Sequence, residues 1–218
     1  MTRTRIKFCG IARAADLEAA VAAGADAVGF VCYEASPRHV GGEQLADLAQ
    51  RLPPFVTPVL LFVNADRAAI DRALRIVPGA LLQFHGDESP EECASYGRPF
   101  VRAVRMSEGV DLLDCERRFA DASALLADAP AARFGGSGVT FDWSRLPRVR
   151  RKPLVLAGGL TAENVGAAIR QVRPFAVDVS SGIEDRPGVK SFEKMLRFAA
   201  AVRAADRTLE TDEPVRPA

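Results

Sequence analysis

The sequence predicts a single-domain α/β protein folded as a (β/α)8 barrel of the TIM type. Three observations carry that expectation. Eight short apolar runs alternate with helix-spaced amphipathic segments at intervals of roughly 20 to 30 residues. The runs are apolar on both faces, as strands are when helices cover one side and a filled barrel interior the other. No repeat and no linker divides the 218 residues, which are enough for one large core. An open doubly wound sheet uses the same ingredients and is the structural alternative. The barrel is expected over residues 1–206. The charged, Pro-containing stretch 207–218 is expected to be a disordered tail.

The elements follow in order. Arg5–Ile11 (RIKFCGI) begins as a strand with Ile6 and Phe8 on one face and Lys7 and Cys9 on the other. A helix from Asp16 has Leu17, Ala20 and Val21 at helical spacing and stops at Gly24. Ala27–Cys32 is the second strand, and an Ala/Leu-rich helix from Gly42 ends at Pro53. Thr57–Val63 is the third strand, followed by a helix with Ile70, Leu74 and Val77 on one face. Ala80–Gly86 is the fourth, and Ser89-Pro90 supplies an N-cap and first turn. Pro99–Met106 and Ala122–Ala129 are the fifth and sixth, joined by a helix over Gly109–Phe119. A long loop and one short helix lead to the seventh, Lys152–Gly159; Trp143 in that loop is expected to anchor it by packing. Thr161 is the expected N-cap of a helix bearing Val165, Ala168, Ile169 and Val172. Phe175–Gly182 is the eighth strand, and a last helix behind Ser191 places Phe192, Met195, Leu196, Ala199 and Val202 in register.

Composition narrows the function classes. A formal net charge of +1 gives no long-range attraction for nucleic acid or an anionic membrane, and neither is an expected partner. No apolar run approaches the ~20 residues of a membrane span, and no signal peptide is apparent. Four cysteines without a CxxC pair and two histidines predict reduced thiols in a cytoplasmic protein, with no metal.

In barrels, chemistry is built at the C-terminal ends of the strands. Gly158-Gly159 and Ser181-Gly182 follow the seventh and eighth strands, where glycines and helix N-termini can present N–H groups to an anion. They predict a phosphate site and hence a small phosphorylated substrate; plain turn chemistry is the alternative. Cys9 ends the first strand and Asp128 the sixth, roughly across the mouth. Alone, Cys9 reads as a small buried residue and Asp128 as a cap or loop anchor. Together, a thiolate base and a carboxylic acid are what an isomerase needs, since a proton leaves one atom and another arrives elsewhere. Arg38 is a candidate clamp for a substrate carboxylate, or an exposed loop charge. His85 is a pocket-wall or a catalytic histidine. Asp178 faces the mouth, where it could orient substrate, or a neighbouring cation.

KFCGI, SPRHV, LQFHGDE, the Asp128…GGSGVTFDW segment, LAGGLTAENV and VDVSSGIE occur in an order that resembles the phosphoribosylanthranilate isomerases of tryptophan biosynthesis, over Arg5 to about Arg203. The resemblance implies an Amadori rearrangement of N-(5'-phosphoribosyl)anthranilate to 1-(2-carboxyphenylamino)-1-deoxyribulose 5-phosphate, with no cofactor. It implies Cys9 as general base, Asp128 as general acid, Arg38 on the anthranilate carboxylate, and phosphate at Gly158, Gly159, Ser181 and Gly182. Phe8 stands where Ile or Val is common, and Ser137 where Thr is usual. Neither exchange removes a group the reaction needs.

Other phosphate-binding barrels fit less well. A metal-dependent epimerase would need more ligands than two histidines provide. A decarboxylating indole-ring synthase would need a lysine acid with strand-end glutamates, and a histidine-pathway aldose isomerase an aspartate in place of Cys9. A barrel that binds phosphosugars without chemistry would not need the Cys9 and Asp128 pair. The oligomeric state is left between monomer and homodimer.

Overall fold

The computed structural model describes residues 3–130 and 140–211. Eight parallel strands close into a barrel in sequence order: β1 (Arg5–Cys9), β2 (Ala27–Val31), β3 (Thr57–Phe62), β4 (Leu81–Phe84), β5 (Phe100–Arg105), β6 (Ala124–Asp128), β7 (Leu154–Leu156) and β8 (Ala176–Val179). Closure is made by β1 against β8, from Arg5 opposite Ala176 to Phe8 opposite Val179. The open doubly wound alternative is thereby excluded.

The period-2 alternation of a strand sorts side chains between two cores. Ile6, Phe8, Phe30, Leu60, Phe62, Leu82 and Phe84 point outward and are buried beneath the helices. Val101, Ala103, Leu126, Val155 and Ala176 fill the interior. Higher in the barrel, the inward positions turn polar: Lys7, Gln83 and Asp178 are all buried. This change of chemistry along one face of the strands places the site.

The helices are α1 (Ala14–Ala23), α2 (Gly42–Gln50), α3 (Arg67–Ile76), α4 (Pro90–Ala94), α5 (Leu112–Arg118), α6 (Val165–Val172) and α7 (Phe192–Thr211). Gly24, at φ +92°, ends α1 in the left-handed conformation. Ser89 starts α4 with a capping box: its hydroxyl accepts from the Glu92 N–H while Glu92 accepts from the Ser89 N–H. All four residues expected on the core face of α6 are buried. A short 3-10 turn, Trp143–Arg145, leads to β7, and Trp143 packs partly buried against the core.

Four expectations change. Thr161 caps a turn ahead of α6 rather than the first residue of the helix itself. Its hydroxyl accepts from the Glu163 N–H at 3.3 Å, Asn164 Oδ1 accepts from the Thr161 N–H at 2.8 Å, and the helix begins only at Val165. The Val165 N–H donates to the Thr161 carbonyl at 3.0 Å, so the turn that Thr161 caps runs on into the helix. In α7, Phe198 is buried with Met195, Ala199 and Val202, whereas Phe192 and Leu196 are largely exposed. The stripe continues to Ala205 and Leu209, so α7 runs through Thr211 and residues 207–211 are helical rather than tail. Finally, a hairpin of β9 (Glu184–Arg186) and β10 (Val189–Lys190) stands between β8 and α7. The remainder of the expected tail, and the GGSG run with Ser137, lie outside the described residues.

Candidate active site

A pocket opens at the C-terminal ends of the strands. Cys9, Arg38, His85, Asp128, Asp178, Gly158, Gly159 and Ser181 line it. Gly182 does not. It packs the eighth loop against the seventh, since a Cβ there would overlap the Leu160 carbonyl oxygen. Gly158 and Gly159 both have positive φ, +83° and +61°. A side chain on Gly158 would strike the backbone of Ala129, so the seventh loop lies directly on the end of β6.

Cys9 is buried and pairs in register with Gly29 of β2. Burial pushes its thiol above the ordinary range, while Lys7, two residues earlier on the same face, pulls it back. Lys7 donates from Nζ to Asp178 Oδ1 at 2.9 Å, both side chains being almost fully buried. Burial works against the Lys7 ammonium, but Asp178 and Cys9 outweigh it and hold the group above the usual lysine value. Asp178 thus faces both the pocket and a neighbouring cation.

Across the mouth, Asp128 is held at both oxygens. Oδ1 accepts from the Ala129 N–H at 2.9 Å, and Oδ2 lies 3.0 Å from His85 Nε2. His85 Nδ1 is 3.2 Å from Gln83 Nε2. With an amide nitrogen facing Nδ1, that ring nitrogen accepts. The imidazole proton then sits on Nε2 and is donated to Asp128. Gln83 fixes His85, and His85 aims the carboxyl.

Arg38 is reached through a different device. Gly10, at φ +75°, has no side chain; a Cβ would lie 2.5 Å from Arg38 Cδ, so the arginine crosses directly over the end of β1. Glu184 of β9 accepts from Arg38 Nε at 2.7 Å and Nη2 at 2.8 Å. Lys190 of β10 donates to the same Glu184 at 2.8 Å and to the Ser180 carbonyl at 3.0 Å. Burial alone would push the Glu184 carboxyl up; Arg38 and Lys190 reverse this and hold it below the ordinary range. One edge of the guanidinium is therefore fixed by protein, and the other borders the pocket.

The sequence does not single out Gly29, Gln83, Glu184 or Lys190, and it offers Lys7 only as a strand residue and as the lysine acid of the indole-ring synthase alternative, with no strand-end glutamate to partner it. Glu184 stands inside VDVSSGIE, and the position after a strand-end Ser-Ser-Gly was the available signal. Among the described residues, no group of three or more His, Cys, Asp or Glu side chains is arranged to hold a metal ion.

The profile of the N-(5'phosphoribosyl)anthranilate (PRA) isomerase family matches residues 6–201. The chain belongs to this family. It is an enzyme, an isomerase of tryptophan biosynthesis. The N-(5'-phosphoribosyl)anthranilate isomerase of Leptothrix cholodnii is 53% identical over 204 residues, covering 94% of this chain and 93% of that one. The crystal structure of the Thermus thermophilus enzyme superposes with a TM-score of 0.82 at 32% identity, covering 92% of this chain and 99% of that one. Another PRA isomerase structure, at TM-score 0.77 and 35% identity with 92% and 99% coverage, holds reduced 1-(o-carboxyphenylamino)-1-deoxyribulose 5-phosphate. A Thermotoga maritima structure, at TM-score 0.77 and 33% identity with 92% and 98% coverage, is of monomers made from a dimeric PRA isomerase.

Proposed function

We propose that Cys9 and Asp128 carry the isomerisation as general base and general acid. The observation behind this is that a buried thiol on β1 and a carboxyl on β6, the latter held by His85, line one pocket. The substrate is N-(5'-phosphoribosyl)anthranilate. Its phosphate rests against Gly158, Gly159 and Ser181, with Gly182 shaping the loop, and its carboxylate takes the pocket edge of Arg38.

Protonated Asp128 gives its proton to the ribose ring oxygen. The C1–O bond breaks as the anthranilate nitrogen lone pair forms the C1=N bond, leaving an open-chain Schiff base. The Cys9 thiolate then takes the C2 proton, and the C2–H electron pair moves through C1 onto nitrogen to give the enolamine. Tautomerisation puts a proton on C1 and a carbonyl at C2, so the product is 1-(2-carboxyphenylamino)-1-deoxyribulose 5-phosphate. The C1 proton comes from the Cys9 thiol and the C2 hydroxyl proton passes through solvent to Asp128, so both groups return to their starting states; no electrons are gained or lost, and the cycle calls for no redox cofactor. His85 keeps the Asp128 carboxyl aimed at the ring oxygen, and Asp178 orients the sugar while holding Lys7.

Asp128→Asn tests the acid assignment. The variant is expected to lose about 100-fold or more in kcat with little change in KM, followed as loss of anthranilate-type fluorescence. A large rise in KM with unchanged kcat would make Asp128 a binding residue instead.

The enzyme works in the cytoplasm, where free thiols such as Cys9 stay reduced; among the described residues no helix is long and apolar enough to cross a membrane. Its macromolecular partner is a second copy of the chain. Phe55, Val149 and Phe175 are exposed at the N-terminal end of the barrel, the end away from the pocket. Phe55 is fully exposed and held at φ +70°, a strained conformation for an aromatic residue.

A further inference from the structure

Lys7 has no step of its own in the reaction above. It is nevertheless a buried cation inside the barrel, and burying an ammonium is costly unless it is paired. Asp178 is the visible partner, at 2.9 Å. A second group is as close to the question. Cys9 follows Lys7 by two residues on the same face of β1, and Gly29 lies opposite Cys9 in register. A Cβ on Gly29 would sit 2.8 Å from Cys9 Sγ and 3.1 Å from Lys7 Nζ. The thiol and the ammonium therefore share the space left by one missing side chain.

We propose that Lys7 is the positioning residue for Cys9: its ammonium, fixed by Asp178 and brought to the sulfur across Gly29, is the counter-charge of the thiolate that takes the C2 proton. The proposal rests on the reading of Cys9 as the base. When the thiolate forms, the thiol proton passes to solvent and the sulfur carries the charge beside Lys7. When the C2 proton arrives, the sulfur is neutral again and Lys7 remains paired with Asp178.

The charged and titratable groups around Cys9 are few. Lys7 faces it from β1, Asp178 from β8, and Lys190 from β10. Tyr33 and Arg38 border the pocket after β2, and His85 and Asp128 stand on the far wall. Burial is the largest influence and disfavours the thiolate; Lys7 is the leading group that favours it, with Lys190 helping and Asp178 opposing. Lys7 and Asp178 therefore act on the sulfur with opposite sign, although they are bonded to each other.

That opposition gives the test. The ultraviolet absorbance of the Cys9 thiolate is titrated against pH, read as the difference between each protein and the same protein carrying Cys9→Ser. Lys7→Met should raise the midpoint by about one pH unit or more, and Asp178→Asn should lower it. The acid limb of kcat/KM should follow the midpoint in both directions, since only the thiolate can accept the proton. A pair that merely holds the barrel together would leave the midpoint of Lys7→Met unmoved, and an unmoved or lowered midpoint there overturns the proposal. Should Lys7→Met fail to fold, Lys7→Gln is titrated in its place, an unmoved or lowered midpoint being the contrary outcome. Near-normal turnover by Cys9→Ser would instead remove the base reading itself, whatever the titration shows.

Discussion

At Gly29 the site depends on atoms that are not there. The position is mid-strand, where glycine weakens a strand and has no side chain to pack. Its value lies in what it admits: Cys9 Sγ and Lys7 Nζ fill the volume a methyl group would occupy. Gly29→Ala should therefore displace the sulfur by a fraction of an ångström or more. The expected cost is about 100-fold in kcat, since misplacement on that scale is worth about that much, and about 1–3 kcal/mol of stability from overpacking. Steady-state kinetics and urea unfolding measure the two, and unchanged kcat would show the sulfur has room to spare. Cys9, Asp128, Arg38, His85 and Asp178 were legible in the sequence because each stands at or near a strand end, where a barrel gathers its chemistry. Gly29 and Gln83 were not. Their roles depend on pairing register and on partners in other strands, which no local pattern encodes.

Among the elements, the β9–β10 hairpin has the clearest consequence. EDRPGVK has no alternating apolar pattern, and only Pro187-Gly188 hints at a turn, so the sequence reading passed over it. Glu184 at one end nevertheless grips Arg38, and Lys190 at the other end holds Glu184. Glu184→Gln keeps the shape but leaves two cations facing a neutral amide. KM should rise about tenfold as Arg38 loses its fixed edge, with a smaller fall in kcat, and stability should drop by about 1–3 kcal/mol. The sign with pH is defined. The Glu184 carboxyl is held below its ordinary value in the folded state, so its stabilisation is full above the unfolded carboxylate range of about 4.3 and is lost as pH falls through the lower folded value. Thermal melts from neutral pH downward should show wild type losing its advantage over Glu184→Gln only below about pH 4.3; a constant advantage would place the effect elsewhere. The strands, and the core faces of helices such as α6, follow from periodicity alone. The differences at α6 and along α7 came where a capped turn precedes the regular helix and where the packing of one phenylalanine overrode the pattern.

For the whole molecule, the barrel separates two ends of different character. The C-terminal end holds the polar pocket; the N-terminal end exposes Phe55, Val149 and Phe175. The closed barrel itself was legible, because eight buried parallel strands leave few other ways to be covered. The exposed apolar residues of the other end were not, since exposure of three residues far apart in sequence emerges only from the assembled fold. If that end joins two copies, sedimentation equilibrium should give a dimer, and Phe55→Asp a monomer that retains turnover; a monomeric wild type would refute it. The proposed isomerisation requires that Cys9 act on bound substrate and not merely shape the pocket. The most direct measurement is the single-turnover fluorescence decay of N-(5'-phosphoribosyl)anthranilate with Cys9→Ser, alongside its affinity for the reduced product analogue. The account predicts affinity within a few-fold of wild type and a rate at least about 100-fold lower. A near-normal rate, or a loss of binding that matches the loss of rate, would contradict it.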